Sequence, residues 1–168
     1  MEKETRLQVK NKLLEAANSF WLKRGFSCFS EIGLVSWGRR RADFLALNLR
    51  GDIILVEIKS CLADFKADTK WKFYLPHCNS MYFLVTENVF EKLDAFGALD
   101  EFRELGVGVL VLDEKTGYLK SKLYCKRRPM PGKEKKAIIC RMAWRNGISK
   151  RTNRRKRVYL TDKEKKSC

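Results

Sequence analysis

Two acidic residues and a lysine stand on two neighbouring apolar segments of this sequence. Asp43 lies near the beginning of the first segment, and Glu57 and Lys59 lie at the end of the second. Carboxylate oxygens are the ligands that Mg²⁺ prefers, and an ammonium group stabilises negative charge that develops on a phosphate. Residue types in this order are therefore typical of metal-assisted hydrolysis of a phosphodiester.

The two segments, 42–47 and 53–59, flank a short loop that contains Gly51, which predicts a β-hairpin. A hairpin centred near Arg50 pairs Leu47 with Ile53, Leu45 with Leu55, and Asp43 with Glu57. Because side chains alternate between the faces of a strand, Glu57 and Lys59 lie on the same face. Opposed residues of a hairpin have Cβ atoms about 4.5–5.5 Å apart. The hairpin therefore brings two carboxylates and an ammonium together.

A carboxylate pair of this kind is costly unless a positive charge lies beside it. A divalent cation is one source of that charge, with Asp43, Glu57 and the Ile58 carbonyl as predicted ligands of Mg²⁺ or Mn²⁺. Lys59 would then orient or help deprotonate the attacking water, or stabilise charge on the phosphate. The alternative is that Lys59 simply neutralises both acids at a solvated strand end. Alternation along the strands favours neither hypothesis.

The same residues resemble the signature of PD-(D/E)XK nucleases, an acid followed on the next strand by Glu-x-Lys, with Ala42 in place of the proline. Four segments resemble the MmcB family of bacterial DNA-repair-related proteins: Gly-Arg-Arg-Arg-Ala-Asp at 38–43, Val-Glu-Ile-Lys-Ser at 56–60, residues 63–71, and Tyr82-Phe83. This resemblance spans about residues 7–124. It implies a restriction-endonuclease-like α/β fold, with a mixed central sheet flanked by helices, and a role in DNA repair.

Many nucleases of this superfamily use a further glutamate from the first helix. Glu15 is the candidate there, but it lies opposite the apolar stripe of the predicted helix, so we expect it to face solvent. Glu31, on the first predicted strand, is the other candidate metal ligand. A structural or solvent-facing role is the alternative for Glu31.

The remaining sequence predicts the elements that position these residues. Apolar periodicity predicts helices over 5–23, 61–74, 91–105 and 133–146, and strands over 27–37, 42–47, 53–59, 81–85, 107–112 and 118–124. This order indicates a mixed α/β domain.

In the second predicted helix, Asp68 is spaced to pair with Lys72 on a solvated face. Trp71, Phe73 and Tyr74 are expected to pack under the sheet; stacking on unpaired bases is the alternative.

The net charge of +16 is concentrated near the end of the sequence. Residues 126–168 hold 17 Lys/Arg against three acids, whereas residues 1–125 hold 19 against 17. We therefore predict a nearly neutral nuclease-like domain over 1–125 and a basic, partly helical extension over 126–168 that binds nucleic acid. A solvated tail or an acidic membrane surface is the alternative. The predicted phosphate-binding residues are Arg39, Arg40, Arg41, Lys126, Arg127, Arg128, Lys150, Arg151, Arg154, Arg155, Lys156 and Arg157.

The composition also narrows the class of protein. Six cysteines without any Cys-x-x-Cys spacing, and a single histidine, argue for reduced thiols rather than for a zinc or disulfide framework. No apolar stretch is long enough to cross a membrane, and residues 1–6 do not resemble a signal peptide. We therefore expect a cytoplasmic protein, associated with the nucleoid in a bacterium.

The resulting hypothesis is a Mg²⁺-dependent deoxyribonuclease, an endonuclease of DNA repair. Its expected partners are DNA, other repair proteins and, for paired cuts, a second copy of the chain. Two alternatives stay open. One is a DNA-binding repair scaffold with little hydrolytic activity, and the other is an RNA-binding protein that uses the basic extension.

Overall fold

The computed structural model describes residues 4–35 and 40–146. Its six strands form one sheet in which spatial order follows chain order. The strands are β1 (Ser27–Gly33), β2 (Arg41–Leu47), β3 (Ile53–Ile58), β4 (Ser80–Thr86), β5 (Gly108–Leu112) and β6 (Leu119–Leu123). β4 runs parallel to β3 and to β5, and the other neighbouring strands are antiparallel. The predicted mixed central sheet is confirmed.

Helices cover both faces of this sheet. They are α1 (Arg6–Leu22), α2 (Leu62–Ala67), α3 (Glu87–Ala95), α4 (Ala98–Leu105) and α5 (Gly132–Asn146), with a 3₁₀ helix at Trp71–His77. Of the helices described, α1 packs on one face, and the others pack on the opposite face. β3 and β5 are buried along their whole length, as expected for strands covered on both sides. The predicted α/β architecture with flanking helices is therefore confirmed.

A capping box starts α1 and fixes its orientation. The Gln8 amide donates to the Thr5 hydroxyl (3.3 Å), and the Thr5 amide donates to the Gln8 side chain (2.7 Å). The stripe Leu13, Ala17 and Trp21 then packs on the sheet. Lys10 precedes Leu13 by three residues, so it lies on the sheet-facing side of the helix.

The prediction of a single helix over 61–74 is wrong, because α2 ends at Ala67 and the 3₁₀ helix follows at Trp71. Phe65 and Trp71 both make edge-to-face contacts with Phe83 and Phe102, at centroid distances of 5.4–5.6 Å. Residues six apart on one α-helix point about 120° away from each other. A continuous helix could not place both rings in this cluster.

Three side-chain predictions for the same segment have different outcomes. Trp71 and Tyr74 are buried, as expected, whereas Phe73 is 53% exposed, so its predicted packing under the sheet is wrong. The predicted Asp68–Lys72 pair is also not formed. The Lys72 ammonium contacts Glu101 on α4, because the chain leaves the helical path at Asp68.

The helix predicted over 91–105 is also divided, into α3 and α4. Gly97 separates them with φ +79°, a left-handed conformation that glycine adopts without steric cost.

Residues that follow β6 contact the core of the sheet. Ile138 and Met142 of α5 are buried in the same cluster as Phe83. Residues 147–168 lie outside the described chain, and the predicted division at residue 125 stays a prediction. Within the described residues, no helix is both long and apolar enough to span a membrane.

Gly108 is packed too closely to accept a side chain. A Cβ atom there would lie 2.4 Å from Cε1 of Tyr82 and 3.0 Å from Cβ of Cys125. We expect Gly108→Ala to lower the free energy of unfolding by about 1–3 kcal/mol, measured by urea denaturation. Gly132→Ala is the matched control, since no described atom lies within 4 Å of the added Cβ. Equal stabilities of the two variants would contradict this packing.

Candidate active site at the ends of strands β1 to β3

Three acidic residues lie side by side on three adjacent strands. The β2/β3 register pairs Leu47 with Ile53 and Leu45 with Leu55, as predicted, and it brings Asp43 beside Glu57. The β1/β2 register pairs Ser30 with Phe44 and Ile32 with Ala42, which puts Glu31 opposite Asp43. The acids therefore form one row across the sheet.

The backbone ladder between β2 and β3 gives way to side chains at this row. Its last backbone pair is Phe44 with Val56. Beyond that pair, the Asp43 amide donates to Glu57 Oε1 (3.3 Å), and the Ile58 amide donates to Asp43 Oδ2 (3.0 Å). Each carboxylate thus accepts a backbone donor that a continued ladder would have used, which fixes both carboxylates in place.

Glu31 sits at a second interruption, between β1 and β2. It is the one non-glycine residue with a positive φ (59°) in the part of the chain that the structure describes. Ile32 and Ala42, just beyond it, pack in the same core cluster as Leu45, although strict alternation would place them on the other face. The alternation is therefore reversed on both strands beside the acids, and on β1 it reverses at the left-handed residue.

Cations from three elements surround the row. Lys10 Nζ of α1 lies 2.8 Å from Asp43 Oδ1 and 3.8 Å from Glu31 Oε1, and Arg41 pairs with Glu31. Lys59 Nζ lies 2.5 Å from Asp68 Oδ2 and 3.7 Å from Glu57 Oε2. These ion pairs join four carboxylates, Glu31, Asp43, Glu57 and Asp68, to three cations, Lys10, Arg41 and Lys59.

Ionisation of Glu57 is disfavoured in these surroundings. Burial, together with the charge of Asp43, raises the pKa of Glu57 from 4.5 to about 8. Burial, and then the charges of Glu57 and Asp68, also raise the pKa of Tyr74 to about 12. Glu57 therefore holds its proton at neutral pH, which an ordinary carboxyl group does not.

The donor set fits a hard divalent cation. Mg²⁺ is commonly held by one or two carboxylates together with water, and Asp43 and Glu57 are two such carboxylates. Within residues 4–35 and 40–146, no group of three or more His, Cys, Asp or Glu side chains is placed to hold a metal. Glu31 already faces Arg41 and Lys10, and its role as a further ligand stays a prediction.

Two basic residues predicted to bind phosphate lie near the acids. Arg41 pairs with Glu31, and the guanidinium of Arg40 lies 4.3 Å from the centroid of the exposed Phe73 ring. Arg39 lies outside the described residues, as do Lys150, Arg151, Arg154, Arg155, Lys156 and Arg157.

The predicted cluster at 126–128 lies elsewhere. Arg127 lies 2.7 Å from Asp52, and Arg128 donates to the carbonyls of Leu105 (2.9 Å) and Gly106 (3.0 Å) at the end of α4. Lys126 is exposed next to them. Asp52 precedes Glu57 by five residues along β3, about 16 Å. The structure does not bring this cluster to the acids.

Sequence reasoning missed two residues of the site. Lys10 could have been found from its helical angle, because it shares the face of Leu13. No pattern in the sequence indicates that Asp68 belongs to the site, since its position depends on the break after α2. Glu15 is exposed, as expected.

The raised pKa of Glu57 predicts a pH-dependent stability. The folded protein holds a proton that the unfolded chain releases near pH 4.5, so this stabilisation is full below pH 4.5 and is lost as the pH rises through about 8. The Glu57→Gln side chain does not ionise, so it stays neutral at every pH tested. With EDTA present, we expect this variant to melt a few degrees above wild type at pH 8, and the gap to shrink at pH 5.

The control for this melting experiment is Glu15→Gln, which changes an exposed glutamate of α1. It should follow the wild-type curve at both pH values. A gap between Glu57→Gln and wild type that is the same at pH 5 and pH 8 would contradict the raised pKa.

Comparison with known proteins places the chain in a family. A family model described as DNA repair protein MmcB-like matches residues 2–144. The SPO1766 protein of unknown function from Silicibacter pomeroyi has the same fold, with a TM-score of 0.66, 23% identity, and 88% of each chain covered. None of the curated proteins matches this sequence.

Two other solved structures are more distant. An XisH family protein from Nostoc punctiforme PCC 73102 has a TM-score of 0.49 and 15% identity, covering 68% of this chain and 99% of its own. An fdxN element excision controlling factor protein from Anabaena variabilis has a TM-score of 0.47 and 18% identity, covering 67% and 95%. Because the family match spans nearly all of the described residues, this chain belongs to the MmcB-like family of DNA repair proteins.

Proposed function

We propose that this chain is a metal-dependent deoxyribonuclease of DNA repair. Asp43, Glu57 and the Ile58 carbonyl bind Mg²⁺ or Mn²⁺, and Lys59 acts on the attacked phosphate. One observation carries the proposal: a buried ammonium lies beside two adjoining carboxylates where the β2/β3 ladder ends. Membership of a DNA repair family makes DNA the expected substrate.

Lys59 is positioned for an electrostatic role. Its side chain is only 9% exposed, and Asp68 holds the ammonium on the same side of β3 as Glu57. An ammonium that is already ordered and shielded from water stabilises negative charge on a phosphate more strongly than a solvated one. Asp68 is therefore a positioning residue in this proposal, and Lys59 is the group that contacts the phosphate.

The acids bind the cation, and two changes accompany its binding. When bound, the cation supplies Lewis acidity toward the phosphate and a water nucleophile of lowered pKa. Glu57 would give up its proton, because its carboxylate would then pair with a divalent charge. Lys10, which contacts Asp43 Oδ1 at 2.8 Å, would have to move aside.

Basic residues are proposed to hold the DNA. Arg40 and Arg41 lie next to the acids, where guanidinium groups suit phosphate oxygens. The basic extension, including Lys126, Arg127 and Arg128, would add affinity that falls with salt. A second copy of the chain for paired cuts stays a prediction.

A DNA-binding scaffold with little hydrolytic activity is the second candidate. Two observations favour it: Lys10 already neutralises Asp43, and the described residues offer no third acid free of cations. An RNA-binding role through the extension would instead appear as preference for RNA in competition with duplex DNA.

The deciding experiment is cleavage of end-labelled duplex, single-stranded, flap and four-way-junction DNA with Mg²⁺, Mn²⁺ or EDTA. We expect metal-dependent cutting by wild type and none by Glu57→Gln, which keeps the shape of the buried side chain. Lys59→Met should lower the rate about 10²–10³-fold, because it removes one electrostatic stabiliser of the transition state. Glu15→Gln is the control and should cut like wild type.

Absence of cutting, or equal cutting by wild type and Glu57→Gln, would refute the hydrolytic role of these residues. Equal DNA binding by both proteins in that case would support the scaffold.

A further inference from the structure

A groove of about 460 Å³ lies between the end of β1 and α5, and none of the acids of the candidate active site lines it. Ile32, Gly33 and Val35 line one wall, and Cys140, Trp144 and Arg145 line the other. Ile32 and Gly33 directly follow Glu31 on β1, so the groove begins next to the candidate active site.

Helix α5 has two different faces. Ile138 and Met142, four residues apart, are buried in the core and anchor the helix. Cys140 and Trp144 form a second ridge with the same spacing, and this ridge faces the groove. The position of Trp144 is therefore set by a helix that is fixed to the sheet.

Trp144 presents a largely exposed indole ring to the groove. Its side chain is 56% exposed, and within the described residues no aromatic ring or cation is recorded against its indole. An indole offers a large, rigid apolar face. It is thus available to a flat ligand that enters the groove.

The charge around the groove indicates an anionic ligand. Arg141 and Arg145, two of the five lysine and arginine residues of α5, line the groove, and no acid is among the described residues that line it. Arg141 donates to the Leu34 carbonyl (2.7 Å), which holds its guanidinium at the wall of the groove. Arg145, one turn further along, is exposed. An aromatic face beside guanidinium groups suits a base joined to a phosphate.

We propose that this groove binds an unpaired nucleotide of the DNA, with its base stacked on Trp144 and its phosphate near Arg145. The proposal rests on the proposed function and specifies its substrate class. Bases inside a duplex are already stacked on their neighbours, so only a flap, a gap or a single strand presents a free base face. DNA with unpaired bases next to the cleaved bond is therefore the preferred substrate.

Fluorescence anisotropy of the full chain with oligo-dT of about ten nucleotides tests this assignment. A strand of the same length made of abasic sites keeps the phosphates and lacks the bases. Trp144→Ala should weaken oligo-dT binding about 5- to 150-fold, as expected for one lost stacking contact, and change abasic-strand binding less than twofold. Trp144→Phe should retain most of the affinity for oligo-dT.

Tyr118→Ala is the matched control. Tyr118 is 64% exposed, it has Lys23 5.4 Å from its ring centroid, and it precedes β6 at the opposite edge of the sheet. This variant should bind oligo-dT like wild type. Circular dichroism of each variant would establish that α5 is still formed.

Three results would overturn the assignment: unchanged oligo-dT binding by Trp144→Ala, equal losses on the oligo-dT and abasic strands, or tighter wild-type binding of oligo-rU than of oligo-dT. Its failure is distinct from failure of the nuclease proposal. If wild type cuts DNA while Trp144→Ala binds normally, only the groove assignment fails. If binding depends on Trp144 and no DNA is cut, only the hydrolytic role fails.

Discussion

A buried carboxylate next to a second carboxylate is the constraint on which the rest of this structure depends. Glu57 is 4% exposed and adjoins Asp43, so both burial and repulsion oppose its ionisation. Backbone donors and nearby cations offset part of this unfavourable free energy. The end of the β2/β3 ladder frees two amides for the acids, and Lys10 and Lys59 approach from other directions. The pKa of Glu57 nevertheless stays above its ordinary value, so the compensation is incomplete.

Regular secondary structure gives way at two positions of the candidate active site. Glu31 adopts a left-handed conformation, and the helical path breaks before Asp68. Local irregularity of this kind costs stability and persists where the surroundings enforce it. Here the surroundings are the aromatic cluster around Phe83 and the packing of α1, both of which are well ordered by apolar burial.

The hairpin and its acids could be predicted from sequence because local signals agreed with each other. The Gly51 loop, the alternation of apolar residues and the register all pointed to Asp43 beside Glu57. The role of Asp68 could not be predicted, since it follows from two rings that must meet the same distant cluster. The partners of Arg128 were equally hidden, because a run of basic residues does not reveal which carbonyls the folded chain will place beside it.

The contact between Lys10 and Asp43 has a thermodynamic consequence. It ties the first turns of α1 to the start of β2, on the face that this helix covers. Under the proposed function, a divalent cation bound by Asp43 would compete with Lys10 for the same carboxylate oxygen, so metal binding and docking of the start of α1 would be coupled with opposite signs. Linkage is reciprocal. Any interaction that draws the beginning of α1 away from the sheet would then raise the affinity of Asp43 for that cation.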